Sequence, residues 1–169
     1  IESKFNEFEA GGFSDTTVLS GKAIFDLGGV DTNDTVHVGD GGYGGEAQFM
    51  YTYTMNLNTS FTGDDNLYTR IKTGNHSSWS KTKSAYNTYL SSGNGNGDTL
   101  KVDKLWYSFP LGDNQTVTVG PKIENYYMHA TTPSIYEPVL KAFTLGGNAA
   151  AYGASTSPGA GWAYTADNG

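Results

Sequence analysis

Glu46-Ala47-Gln48-Phe49-Met50-Tyr51-Thr52-Tyr53-Thr54-Met55-Asn56-Leu57-Asn58-Thr59-Ser60-Phe61 is the most regular stretch of the chain. Ala47, Phe49, Tyr51, Tyr53, Met55, Leu57 and Phe61 share one parity, and Gln48, Met50, Thr52, Thr54, Asn56, Asn58 and Ser60 share the other. Successive side chains of a strand point to opposite faces, so this pattern predicts a strand with one greasy face and one face of hydroxyls and amides. Thr59 interrupts the apolar parity only near the end. The run is longer than the roughly 5 to 6 residues of an ordinary soluble strand, and it suits a tilted membrane span of about 9 to 11 residues with extensions.

The same alternation recurs outward from this stretch. Leu19, Gly21, Ala23 and Phe25 oppose Val18, Ser20, Lys22 and Ile24 within 15–26, and Leu67 and Ile71 oppose Tyr68, Arg70 and Lys72 within 66–73. In 103–111, Leu105, Tyr107 and Phe109 oppose Lys104, Trp106 and Ser108; in 115–122, Val117 and Val119 oppose Thr116, Thr118 and Lys122. Pro121 marks a strand end or an edge, because it cannot donate to a ladder. Trp162-Ala163-Tyr164-Thr165 reads as a strand beginning at the end of a chain that looks cut.

The connections alternate in length. Long segments at 27–45, 74–98 and 123–161 are separated by the short turns Gly63-Asp64-Asp65 and Gly112-Asp113-Asn114. Short turns on one side and long loops on the other are the habit of outer-membrane up-and-down barrels. The turns carry the Gly and Asp chemistry of tight hairpins, and the long segments are rich in Gly, Asn and Asp without helical periodicity, apart from a short helix expected within Ser80 to Leu90. The expected fold is therefore all-β, an antiparallel up-and-down transmembrane β-barrel of which this chain supplies only part.

Composition agrees. Of 169 residues only 16% are charged, while Gly (23), Tyr (12) and Phe (8) are abundant, and mean hydropathy is negative at -0.45. No stretch reaches the roughly 18 apolar residues of a transmembrane helix, but a barrel hides its hydrophobicity in alternation. A net charge of -7 without a basic cluster excludes general nucleic-acid binding. Cysteine is absent, which removes disulfides, thiolate metal sites and thiol nucleophiles together.

Two motif runs resemble a known family. Phe5-Asn6-Glu7-Phe8-Glu9-Ala10-Gly11-Gly12-Phe13-Ser14 followed by Thr16-Thr17-Val18-Leu19-Ser20-Gly21-Lys22-Ala23 resembles the start of the barrel in cyanobacterial iron-uptake porins, a group of the OprB-like carbohydrate-selective porins. Lys104-Leu105-Trp106-Tyr107-Ser108-Phe109-Pro110-Leu111-Gly112-Asp113 and Val119-Gly120-Pro121-Lys122 resemble a later hairpin of that family. The resemblance implies a lead-in at 1–13 after a missing upstream region, then a partial barrel over 14–169 with 123–161 a long loop. It also implies a cell outer membrane location, a homotrimer, contact with peptidoglycan or another cell-wall polymer through an upstream domain, and passage of iron among the solutes. A barrel of about sixteen strands needs two to three times this length, so the remaining strands must follow Gly169 or come from further copies; the first is favoured.

In a porin the lining charges on the polar parity carry the function. Lys22, Arg70, Lys72, Lys104 and Lys122 are the pore-lining candidates; the plainer reading is that such cations snorkel or sit at strand ends. Residues 126–161 read either as an external loop or as the loop that folds inward, and the resemblance leans to the inward role, with Glu137 and Lys141 near the solute. Asp26, Asp31, Asp34, Asp40, Asp64 and Asp65 read as solvated loop charges rather than a calcium site, since no EF-hand spacing occurs. His37, His76 and His129 are far apart and read as loop residues, and no nucleophile and base spacing suggests catalysis, so neither a catalytic residue, a metal site nor a cofactor is expected. The expected function is passive diffusion of small hydrophilic solutes or inorganic ions through a channel in lipid. The alternative is a soluble β-sandwich or jelly-roll carbohydrate-binding module, whose strands would bury the aromatic parity.

Overall fold

The computed structural model describes residues 16–30, 47–76, 78–81, 88–124, 127, 138–144 and 156–166. Six strands follow one another: β1 (Thr17–Gly28), β2 (Gln48–Thr59), β3 (Asn66–Gly74), β4 (Lys101–Pro110), β5 (Gln115–Glu124) and β6 (Thr156–Tyr164). They form one sheet in the order β1-β2-β3-β4-β5-β6, each antiparallel to its neighbours, so the chain is an up-and-down meander. The sheet is open, with β1 and β6 at its edges.

Partners across antiparallel strands share a face, and the register carries the parity of β2 through the sheet. Leu19, Ala23 and Leu27 of β1 face Leu57, Tyr53 and Phe49 of β2. Met55 faces Ile71, Leu67 faces Tyr107, and Phe109, Val117 and Trp162 form one row. This apolar parity is uncovered: Phe25, Leu27, Phe49 and Trp162 are between 63% and 74% exposed. The polar parity is covered over β2 to β5, with Met50, Thr52, Lys104, Trp106 and Thr118 all below 9%, and open along β1, where Val18 is 53% exposed.

The short connections behave as their residues dictate. Gly63 (φ 101°) and Gly112 (φ 74°) adopt the left-handed backbone that a tight turn requires and a side chain resists. In the first turn Asp65 is buried, not solvated as its loop position suggested. Its carboxylate accepts hydrogen bonds from the backbone N–H groups of Phe61 and Thr62 and from the hydroxyls of Ser60, Thr62 and Tyr107. Burial alone would raise the Asp65 carboxyl, but these donors outweigh it and hold the group well below the usual carboxylate range. One side chain thereby shapes the β2–β3 turn and ties it to β4.

Two expectations change. β6 begins at Thr156, so the long segment ends before the 161 boundary expected from the sequence. Ser157, Gly159, Ala160 and Gly161 carry no alternating hydrophobicity, and pairing with β5 overrides their weak strand preference. Pro121 lies inside β5 rather than at its end, tolerated because the register shifts between Gly120 and Ile123, where a ladder donor is not needed. Short helical turns at Ser78–Lys81 and Lys141–Phe143 sit in the connections; the first reaches the start of the helix expected within Ser80 to Leu90, of which 82–87 lie outside the described residues.

Candidate functional site

The polar parity of β1 to β4 carries two adjacent charged rows. Lys22, Thr54, Lys72 and Lys101 make one, and Ser20, Asn56, Arg70 and Lys104 make the next. Four of the five expected lining cations, Lys22, Arg70, Lys72 and Lys104, are thus brought to one face. Lys122 is not among them. β5 has one extra residue against β4 between Tyr107 and Leu105, which flips the parity, so Lys122 stands opposite Leu105, exposed, and donates to the Val102 carbonyl at 2.6 Å. Counting alternation from Thr118 fails at such a bulge.

A second bulge supplies a carboxylate that alternation hides. The register shifts between Arg70 and Ile71, whose partners are Lys104 and Val102, and the extra residue is Asp103. Its carboxylate accepts from Arg70 Nε at 2.6 Å and forms an ion pair with the same guanidinium. Lys104, 2% exposed, pairs with Glu124 at the end of β5 and donates to Thr156 Oγ1 of β6 at 3.0 Å. Taking two charges out of water is costly unless both are paired and hydrogen-bonded, and Lys104 meets both conditions.

One end of this face is covered by the connection between β3 and β4. Trp79 donates to Gln48 Oε1 at 2.9 Å, and Thr52 donates to the Ser92 carbonyl at 2.7 Å. Ser92 donates to Asp26 Oδ2 at 2.7 Å, so Asp26 also is an anchor rather than a solvated loop charge. Beyond it lies His76, buried at 2% exposure. Its Nδ1 is 3.1 Å from Ser80 Oγ, and its Nε2 is 3.3 Å from Asp26 Oδ2 but off the hydrogen-bonding direction, an electrostatic contact only. Burial is the main cause that pushes the His76 imidazole below its ordinary range; Lys72 and Lys81 add to the effect and Asp26 opposes it.

Ser80, His76 and Asp26 follow one another in the order of an acyl-transfer triad. The nucleophile would be unusable, since Ser80 is 0% exposed and its hydroxyl also contacts Met50 Sδ at 3.3 Å. The arrangement fastens the loop to the sheet. Sequence spacing does not reveal it, because His76 and Asp26 come from different strands' ends.

The β5–β6 connection rests on this loop. Leu140 bridges Leu90, Ser91 N–H donates to the Val139 carbonyl at 2.7 Å, and Lys141 N–H donates to the Tyr89 carbonyl at 2.8 Å. For 126–161 the sequence left an external and an inward-folding role open; on the described residues the β3–β4 connection packs on the polar parity and 138–144 is seated against it. Between these loops and the sheet lies a cavity of about 540 Å³, lined by Lys22, Asp26, Arg70, Lys72, Glu124 and Lys141 among others. Lys141 therefore joins the expected cations. Glu137, His37, His129, Asp31, Asp34 and Asp40 lie outside the described residues, as does the lead-in 1–13. Asp64 is exposed, as its turn position suggested. Among the described residues no group of three or more His, Cys, Asp or Glu converges as a metal site would require, and no helix is long and apolar enough to cross a membrane.

No family model matches the chain. No solved structure matches it either. Two curated relatives do: an uncharacterized protein of Synechocystis sp., 32% identical over 143 residues and covering 83% of this chain, and an uncharacterized protein of Nostoc sp., 29% identical over 163 residues and covering 89%. The chain spans 26% of the length of each. The matched stretch in both relatives is therefore a minor part of a much longer protein.

Proposed function

We propose that this chain forms part of an outer-membrane β-barrel channel of the porin type, without catalytic activity, through which small hydrophilic solutes or inorganic ions diffuse passively. One observation carries the reading: the middle of the sheet covers its polar parity and leaves its apolar parity bare. Leaving a large apolar side chain in water forgoes about 1.5–3 kcal/mol, and Phe25, Leu27, Phe49, Tyr53, Val102, Val119, Trp162 and Tyr164 all stand exposed along the strands. In lipid that arrangement is the stable one, and a charged, water-lined interior is its complement.

The distribution of aromatics supports the same reading. Phe25 and Phe49, stacked at 6.0 Å, mark the loop end with Tyr51 and Tyr53; Phe61, Tyr107, Phe109, Trp162 and Tyr164 mark the turn end. Ala23, Met55, Leu57, Ile71 and Leu105 lie between. From Tyr51 to Thr59, which is level with Leu67 and Tyr107, the strand advances about 26 Å at roughly 3.3 Å per residue, which a barrel tilt of about 35–45° turns into about 19–22 Å of height, against an apolar band of about 25 Å between aromatic girdles. Tyr51 keeps its hydroxyl on Asp98 at 2.6 Å, the amphipathic habit of a side chain at a membrane boundary.

A six-stranded sheet with two open edges cannot stay in lipid, where each unpaired backbone group costs several kcal/mol. The reading therefore requires further strands, and the relatives have ample chain for them. A sandwich module would need a second sheet on the aromatic parity, and none of the described residues supplies one. The porin-like family resemblance extends the proposal to a homotrimer, an upstream segment on the cell wall and iron among the solutes.

The test is reconstitution of the full-length protein from detergent into a planar bilayer. Heat-modifiable migration on gels and steady ohmic conductance steps are expected. A monodisperse protein that is soluble without detergent and conducts nothing would overturn the reading.

A further inference from the structure

We infer that Lys122 anchors a boundary-lipid site, in which its ammonium and that of Lys101 hold the phosphate of an anionic phospholipid in the leaflet on the side of the long connections; this rests on the membrane reading of the apolar parity. Followed through all six strands, the rows of that parity hold one charged side chain among the described residues, Lys122. It stands in the row of Leu57, Thr69 and Leu105, and it is exposed. The channel interior has no use for a cation on this side of the sheet.

An ammonium on a lipid-facing surface is tolerated where its flexible stem carries the charge to the headgroup level. Lys122 does this. From a backbone level with Leu105, its Nζ donates to the carbonyl of Val102, the second residue of β4 and three positions nearer the long β3–β4 connection. An ammonium has three donors, and this carbonyl takes one. Lys101, the first residue of β4 and also exposed, shares with Lys122 and Val102 the wall of a cavity of about 400 Å³. Lys72 lines the same cavity, as does Asp103, whose carboxylate is engaged by Arg70. Toward the turn end, Val119 follows on β5, 39% exposed, and offers apolar surface to acyl chains. The other occupant to weigh for a charge on this face is a second copy of the chain. The rows of the apolar parity hold no carboxylate among the described residues, so a copy docking through the same face brings no counter-charge. A headgroup phosphate brings both the charge and the acceptor oxygens.

The cysteine-free chain allows one fluorescent reporter per variant. Val102→Cys, beside Lys122, and Leu19→Cys, on β1 of the same face, are labelled in the full-length protein. Each is reconstituted into mixed phosphatidylcholine and phosphatidylglycerol vesicles in which one lipid or the other is brominated, and quenching gives the relative local affinity of the two. Phosphatidylglycerol is expected to be favoured at residue 102 over residue 19 by about fivefold or more, roughly what one lysine contributes beside an anionic headgroup. Lys122→Gln should bring residue 102 down to the ratio at residue 19, and Lys122→Arg should keep the preference. Equal quenching by both lipids at residue 102 would overturn the site and leave the membrane reading intact. Quenching by neither lipid at either position would overturn the membrane reading and the site with it. A preference that survives Lys122→Gln would also overturn the site. So would a Lys122→Gln effect confined to dissociation of an oligomer, which would assign the residue to a contact between copies.

Discussion

The two faces of the sheet are built from the same strands, residue by residue, yet they are governed by opposite rules. On the apolar parity the rows of β1 to β4 are hydrophobic with a few threonines, and the side chains touch little beyond one another. On the polar parity the pattern is broken twice by bulges, carries ion pairs, and is packed by loops from two connections. A face that meets a uniform solvent needs only a uniform chemistry. A face packed by loops needs individually placed groups, and bulges aim single residues, Asp103 toward Arg70 and Lys122 onto the face of Leu105.

The comparison breaks most severely if the ion pairs of the polar parity are cut. Glu124→Gln leaves the buried Lys104 ammonium with only Thr156, and the loss of a partner from a buried pair costs about 3–5 kcal/mol. The expected outcome is a folded fraction that collapses at lower urea during refolding into lipid vesicles. Lys104→Met together with Glu124→Gln should recover much of that loss, because no charge is then stranded.

A slightly smaller effect is expected from the other face. Met55→Arg, midway between the aromatic levels, should cost about 2–4 kcal/mol when the protein is folded in a bilayer. Asn58→Arg, on the polar parity of the same strand, should cost less than about 1 kcal/mol. Equal costs for the two substitutions would remove the distinction between the faces.

The smallest effect sharpens the contrast by pH. His76 is buried and its imidazole is pushed below its ordinary value, so the folded chain prefers the neutral ring. Its contribution is fully present above the unfolded value of about 6.5 and is lost as pH falls through the lower folded value. Asp26 opposes the loss; Lys72 and Lys81 reinforce it. Amide protection factors in 88–92, taken relative to the base-catalysed intrinsic rate at each pH, should therefore fall between pH 7 and pH 5 while the centre of β2 keeps its protection, and His76→Gln should abolish that fall.

Much of the sheet was legible in the sequence because its signal is local. The alternation of residues 46–61 predicted β2 within two residues at each end, and Gly63 and Gly112 marked the short turns. The shared face of the cations was legible where alternation survives: Lys22, Arg70, Lys72 and Lys104 follow from parity alone. It failed at Lys122 and Asp103 because a bulge is a property of two strands in register and leaves no mark in either sequence by itself. β6 was cut short because Gly and Ala give no periodic contrast. That the β3–β4 connection covers the polar parity was not legible, because length and small-residue content say nothing of where a connection lands. That depends on Trp79, Ser92 and His76 finding Gln48, Thr52 and Asp26 far away in the chain.

The most direct test uses the absence of cysteine from this chain. Single cysteines placed in turn at positions 49 to 58 of the full-length protein in a bilayer are spin-labelled, and collisions with lipid-soluble oxygen and with a water-soluble nickel complex are measured by electron paramagnetic resonance. The account predicts a period of two, with odd positions accessible to oxygen and even positions to nickel or to neither. Odd positions that favour nickel, or a profile with no alternation, would contradict it.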